Sequence, residues 1–179
     1  MRLLVLGGSA SGKSEYAEYC ALSLGKPLIY IATMIPYGSD AEARIARHRT
    51  LRAEKGFDTF ECYRRVSSAP VPQNTTVLLE CLTNLAANEM FGGAGADSEA
   101  AIGRDIESLA RACANLIVVS GNVFDAGTDH DGDTLRYMRC LAGLNRRLSA
   151  RFDAVVEVVC GIPVILKAQE SLPDLLRRG

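Results

Sequence analysis

Neither sign of charge predominates in this 179-residue chain: 20 Lys and Arg face 21 Asp and Glu, leaving a formal charge of −1. The basic footprint of a nucleic-acid binder is missing, so any anionic partner has to be gripped locally. Paired cysteines are missing too. Cys20, Cys62, Cys81, Cys113, Cys140 and Cys160 lie scattered with no Cys-x-x-Cys, which argues against zinc or dithiol chemistry and for buried thiols. Nor is there an apolar run able to span a membrane. Ala154 to Leu166 is broken by Glu157, Gly161 and Pro163 and falls short of the roughly 18 residues such a helix needs. Met1 to Leu6 lacks the charged start, apolar stretch and small-residue exit of a cleavable signal, so the expected location is the cytoplasm. No repeat or linker interrupts the chain, and residues 1–179 read as one domain.

What is present is an ordinary globular balance, 48% apolar and 23% charged, enough to exclude disorder as a description of the whole. Short, nearly continuous apolar runs recur at Leu3–Leu6, Leu28–Ala32, Val77–Leu79, Leu116–Val119 and Ala154–Val159, as strands buried on both faces do. Helical patterns lie between them at Lys13–Leu24, Asp40–Lys55, Thr83–Met90, Ser98–Ala114 and Asp133–Ala150. Such alternation implies βαβ units, a mainly parallel sheet and helices on both faces. Gly161-Ile162-Pro163 turns the chain into Val164–Leu166, expected as one short antiparallel strand. Gly92–Ala96 and Asp125–Asp133 read as surface loops.

Gly7-Gly8-Ser9-Ala10-Ser11-Gly12-Lys13-Ser14 satisfies GxxxxGK[ST] between an expected strand and an expected helix. In that context the loop's backbone N–H groups face a phosphate, the helix N-terminus adds its positive end, Lys13 reaches the outer phosphates and Ser14 holds Mg²⁺. A glycine turn that merely packs would account for the glycines but leaves the Lys-Ser pair unexplained. Such loops use a second acid at a neighbouring strand end, and Glu80, after Val77-Leu78-Leu79, is the candidate. The plainer alternative for Glu80 is a helix cap or a solvated strand end. Asp125 and the acids of 129–133 are weaker rivals for want of a strand to hold them.

Only two histidines occur. His48 borders the apolar face of the Asp40–Lys55 pattern among Arg44, Arg47, Arg49 and Arg52. Arginines suit bidentate contact with phosphate, and a neutral imidazole among them can attack phosphorus or carry a proton. The alternative is a half-buried helix histidine beside a solvated basic face. His130, between Asp129 and Asp131, is poorly placed for a triphosphate and reads as structural. On residues alone three classes stay open: a nucleotidyl-transferring enzyme, a small-metabolite kinase that leaves His48 idle, and a nucleotide-binding regulatory module.

Beyond the phosphate loop come Tyr30-Ile31-Ala32-Thr33, Arg44-Ile45 with His48 and Arg52, Thr59-x-Glu61, and Leu78-Leu79-Glu80-Cys81-Leu82-Thr83. Asn145, Leu148, Asp153, Gly161-Ile162-Pro163 and Lys167 close the series. In this order and spacing, over nearly the whole chain, they resemble the bifunctional adenosylcobinamide kinase/adenosylcobinamide-phosphate guanylyltransferase family of cobalamin biosynthesis.

The resemblance implies an α/β fold of the P-loop NTPase, RecA-like kind, and a homo-oligomer, a trimer. It implies that His48 attacks the α-phosphorus of GTP, expels pyrophosphate and carries GMP to adenosylcobinamide phosphate. The kinase step, fed by GTP or ATP, would first phosphorylate adenosylcobinamide. Implied nucleotide contacts are Gly7, Gly8, Ser9, Ala10, Ser11, Gly12, Lys13 and Ser14, then Ala32, Thr33 and Met34, then Arg49, Thr50, Leu51 and Arg52, with Glu61 and Glu80; Ser14 and Glu80 would take Mg²⁺. The chain departs from the usual family pattern at Ala10 (Arg), Phe57 (Trp), Cys160 (Ser) and Ser120-Gly121-Asn122-Val123-Phe124 (Thr-Asn-Glu-Val-Gly). Asn122 there replaces an acid, so a guanylyltransferase that has lost the kinase step is a further alternative.

Overall fold

The computed structural model describes residues 1–36, 46, 49–50, 52–92, 98–123 and 131–169. The seven strands among these residues are β1 (Arg2–Gly7), β2 (Leu28–Ala32), β3 (Phe57–Glu61), β4 (Thr76–Glu80), β5 (Asn115–Gly121), β6 (Ala154–Val159) and β7 (Ile162–Ala168). They form one sheet in the order β3-β2-β4-β5-β1-β6-β7. Every neighbouring pair is parallel except β6 with β7, which is antiparallel. Among the described residues, four helices with both ends seen pack on it: α1 (Lys13–Leu24), α2 (Leu82–Gly92), α3 (Ser98–Ala112) and α4 (Gly132–Arg151).

The continuous apolar runs are explained by cover on both faces. Side chains alternate across a strand, so Leu4, Ile31, Leu79, Val118 and Val155 lie in the core under α2, α3 and α4. Their neighbours Leu3, Val5, Tyr30, Leu78, Ile117 and Val156 join the core under α1. That helix meets the sheet through Tyr16, Ala17, Cys20 and Ala21, mostly small residues that let its backbone come close. Each large aliphatic side chain buried this way stabilises the fold by about 1.5–3 kcal/mol.

Several of the sequence matches hold the frame. The Asp153 carboxylate accepts from the Arg2 amide at 2.7 Å, tying the start of β1 to the start of β6. Lys167 donates to the carbonyls of Ser149, Ala150 and Phe152 at 2.9, 3.1 and 2.6 Å. A cation thereby satisfies the orphan carbonyls at the end of α4. Arg2 does the same for α3 through the carbonyls of Ala110, Cys113 and Ala114. At the other end of α4, the Asp131 carboxylate accepts from the Thr134 amide at 2.7 Å, an N-cap.

The structure departs from the sequence reading in particular places. β3 is a strand where none was expected: Phe-Asp-Thr-Phe-Glu is an edge strand with only Phe57 fully buried, so it lacks an apolar run. β7 runs seven residues, longer than Val164–Leu166. The end of the expected Asp40–Lys55 helix is seen at Arg49, Thr50 and residues 52–54; most of its earlier part, and most of both expected loops, lie outside the described residues. All six cysteines are free, but only Cys20, Cys113 and Cys140 are buried: Cys62 and Cys81 are half-buried, and Cys160, in the turn between β6 and β7, is exposed.

Candidate active site

Strand register builds the site. Ala32 lies opposite Glu61 on one neighbour and Glu80 on the other, while Tyr30 lies opposite Thr59 and Leu78. With a period of two, all six share one face of the sheet at the C-terminal ends of β2, β3 and β4. There all but the buried Leu78 wall, with Met34, Arg49, Arg52, Cys81 and Asn84, a cavity of about 210 Å³.

Glu80 joins this cavity to the phosphate loop. One carboxylate oxygen accepts from the Ser14 hydroxyl in the first turn of α1, and the other from the Tyr30 phenol at 2.7 Å. Burial, and then the Glu80 charge, push the Tyr30 phenol far above its ordinary value, so it stays a donor. The Arg52 guanidinium lies over the Tyr30 ring, 3.5 Å from its centre, a cation–π contact. Arg49 pairs with Glu61, whose second oxygen accepts from the Tyr63 hydroxyl at 2.9 Å. Burial, and then Glu61, raise the Tyr63 phenol as well.

In the phosphate loop, Ala10 and Gly12 adopt left-handed conformations, with φ of +55° and +89°. Backbone reversals of that kind make the concave nest of amides that anions occupy. Lys13 donates to the Gly8 carbonyl at 3.0 Å. A Cβ on Gly12 would lie 3.2 Å from the Gly161 Cα, so glycine is needed there for close approach as well as for φ.

Against this geometry, residues 3–166 match the family described as cobinamide kinase / cobinamide phosphate guanyltransferase. The chain belongs to that family. It is 33% identical to the bifunctional adenosylcobalamin biosynthesis protein CobU of Salmonella typhimurium, over 93% of this chain and all of that one. The same holds for the CobU protein of Escherichia coli. The bifunctional adenosylcobalamin biosynthesis protein CobP of Pseudomonas aeruginosa is 27% identical, over 94% of this chain and 99% of its own.

For a member of the cobinamide kinase / cobinamide phosphate guanyltransferase family, the structure sorts the sequence candidates. Ala32, Met34, Arg49, Arg52, Glu61 and Glu80 come together at the cavity, with Ser14 beside it. Thr33 is fully buried, and its hydroxyl bonds the Cys81 amide and carbonyl, at 2.7 and 2.8 Å, inside the protein. Thr50 is exposed and donates to the Ala46 carbonyl at 3.1 Å. His48, Leu51, Arg44, Arg47, His130, Asp125 and Asp129 lie outside the described residues. Of the rival acids, Asp131 caps α4 and Asp133 pairs with Arg136 at 3.1 Å, so both have structural work.

Sequence reasoning missed Asn84, and quoted Tyr30, Thr59 and Cys81 without giving them a place. Tyr30 had a signal: it is the one side chain with a polar tip in Leu28-Ile29-Tyr30-Ile31-Ala32, and a buried phenol needs a partner. Among the described residues no group of three or more His, Cys, Asp or Glu gathers as for a tightly caged metal. A hydroxyl and a carboxylate, both hard oxygen donors, suit a cation that takes its other ligands from phosphate and water, as Mg²⁺ does.

Proposed function

We propose that the chain phosphorylates the aminopropanol hydroxyl of adenosylcobinamide and then transfers GMP from GTP to adenosylcobinamide phosphate, giving adenosylcobinamide-GDP, with His48 as the nucleophile. The observation that carries this reading is the Ser14–Glu80 contact. It joins the phosphate loop to a cavity walled by Arg49 and Arg52, the arginines that follow His48 in the chain.

In the first displacement a nitrogen of the His48 imidazole bonds to the α-phosphorus while the bond to the bridging oxygen breaks and pyrophosphate leaves. In the second, an oxygen of the corrinoid phosphate bonds to the same phosphorus and the N–P bond breaks, freeing the histidine. An unperturbed imidazole, of pKa about 6.5, is mostly neutral near pH 7 and therefore nucleophilic. Loop amides and Lys13 hold the outer phosphates, and Arg49 and Arg52 offset charge on the α-phosphoryl oxygens. Arg49 is half exposed, which leaves it room to exchange Glu61 for a phosphate. Ser14 and Glu80 are the residues for Mg²⁺, which when bound neutralises phosphate charge. The same loop serves the kinase step with GTP or ATP. A single domain, a homotrimer and a cytoplasmic setting complete the reading.

Intact mass after incubation with GTP and Mg²⁺ tests it. The expected result is one acid-labile GMP adduct, absent with ATP and absent in His48→Ala. A folded, GTP-binding protein that forms no adduct would instead be a kinase without a covalent intermediate or a nucleotide-binding module.

A further inference from the structure

A loop that turns its amides inward onto phosphate turns its carbonyl oxygens outward, and each outward oxygen packed against protein needs a donor. In residues 7–12 those donors are distinct. The Gly7 carbonyl accepts from the Asn122 amide at 3.0 Å, just past the end of β5. Gly8 is served by Ser11 and Lys13, and Gly12 by Tyr16 within α1. The Ser11 carbonyl accepts from the amide of Gly161 at 2.8 Å.

That last donor comes from another part of the sheet. Gly161 sits in the turn between β6 and β7, on the opposite side of β1 from the strands that wall the cavity. Its φ is +81°, and the preceding Cys160 is left-handed at +50°. In this turn the Gly161 N–H faces the loop and meets the Ser11 carbonyl. A Cβ on Gly161 would meet nothing within 4 Å, so backbone conformation, and not space, is what the position demands.

We propose that Gly161 is a positioning residue for the triphosphate: its amide holds the Ser11 carbonyl outward so that the neighbouring loop amides face the β- and γ-phosphates. The inference rests on reading residues 7–14 as the phosphate site. Because a Cβ there meets nothing within 4 Å, substitution acts at the Cβ through backbone preference and not through crowding. Gly161→Val disfavours φ > 0, whereas Gly161→Asn tolerates it.

The test is calorimetric titration with α,β-methylene-GTP, which cannot release pyrophosphate, alongside GMP, which lacks the outer phosphates. Gly161→Val is expected to weaken the triphosphate about tenfold, the cost of leaving one such carbonyl unpaired, while GMP binding stays unchanged. Gly161→Asn is expected to bind both as the parent protein does. Equal losses for the two ligands would mean general support of the fold and overturn the proposal, as would full triphosphate affinity in the folded Val variant. If Gly161→Val fails to fold, Gly161→Ala carries the same comparison, with a smaller selective loss expected and none overturning the proposal. A parent protein with no preference for the triphosphate over GMP would remove the phosphate-site reading itself, a separate result from either variant's.

Discussion

Glu80 is held at both oxygens, by Ser14 and by Tyr30, and the two contacts differ in kind. The first is to the residue proposed to share a cation with it. The second is a fixed brace from a buried phenol that does not ionise near neutrality. Tyr30→Phe removes the brace while leaving the ring beneath Arg52. Its expected cost is about 1–2 kcal/mol of stability in urea unfolding, with catalysis reduced more in kcat than in KM as Glu80 loses its orientation. Arg52→Lys keeps the charge but loses the planar contact over Tyr30. A fall of about tenfold in kcat/KM for guanylyl transfer is expected, measured by pyrophosphate release. At this scale the sequence was legible for the charged members, since acids and arginines stand out in any list. The phenol was not placed, and Thr33, expected at the nucleotide, turns its hydroxyl to the Cys81 backbone, because whether such a group faces a ligand or the interior depends on its partners.

Elements show the same division. β1 and α1 could be read because a short apolar run, a glycine turn and a helix pattern agree with one another. β3 could not, since an edge strand covered on one side has few residues to bury. Yet β3 carries Thr59 and Glu61, and only pairing with β2 puts Glu61 beside Ala32. The cavity was thus hidden until the register was known. Lys167 is the converse case, a family match that caps α4 and does not line the cavity. Lys167→Met leaves the last carbonyls of α4 without their cation and is expected to cost about 1–2 kcal/mol in urea unfolding, with the nucleotide KM unchanged. A raised KM would show that the lysine also shapes the β6–β7 hairpin's contact with the loop.

For the whole molecule, buried acids of high pKa set the alkaline limit. Burial pushes the Cys20 thiol up to about 12, the Cys140 thiol up to about 11 and the Tyr137 phenol up to about 12, and it raises Tyr16 and Tyr30 further. The folded state therefore keeps protons that the unfolded chain releases once pH passes the ordinary thiol and phenol values. Their stabilisation is complete below those values and is lost as pH rises towards the folded ones. The urea midpoint is expected to hold steady near neutrality and to fall between about pH 9 and pH 11. A flat profile across that interval would show these groups to be more accessible than their burial indicates.

Lys13 is also bonded to the loop it serves. Its ammonium is already bonded to the Gly8 carbonyl, so the loop carries an internal competitor for its own cation. A visiting anion has to outbid that carbonyl before it can recruit the lysine. A small ion such as chloride or a single phosphate offers one attraction against this loss, whereas a triphosphate brings further contacts along the nest and the helix end. Every anion that recruits Lys13 gives up that bond, and the contacts along the nest and the helix end, of which a triphosphate makes the most, are what offset the loss.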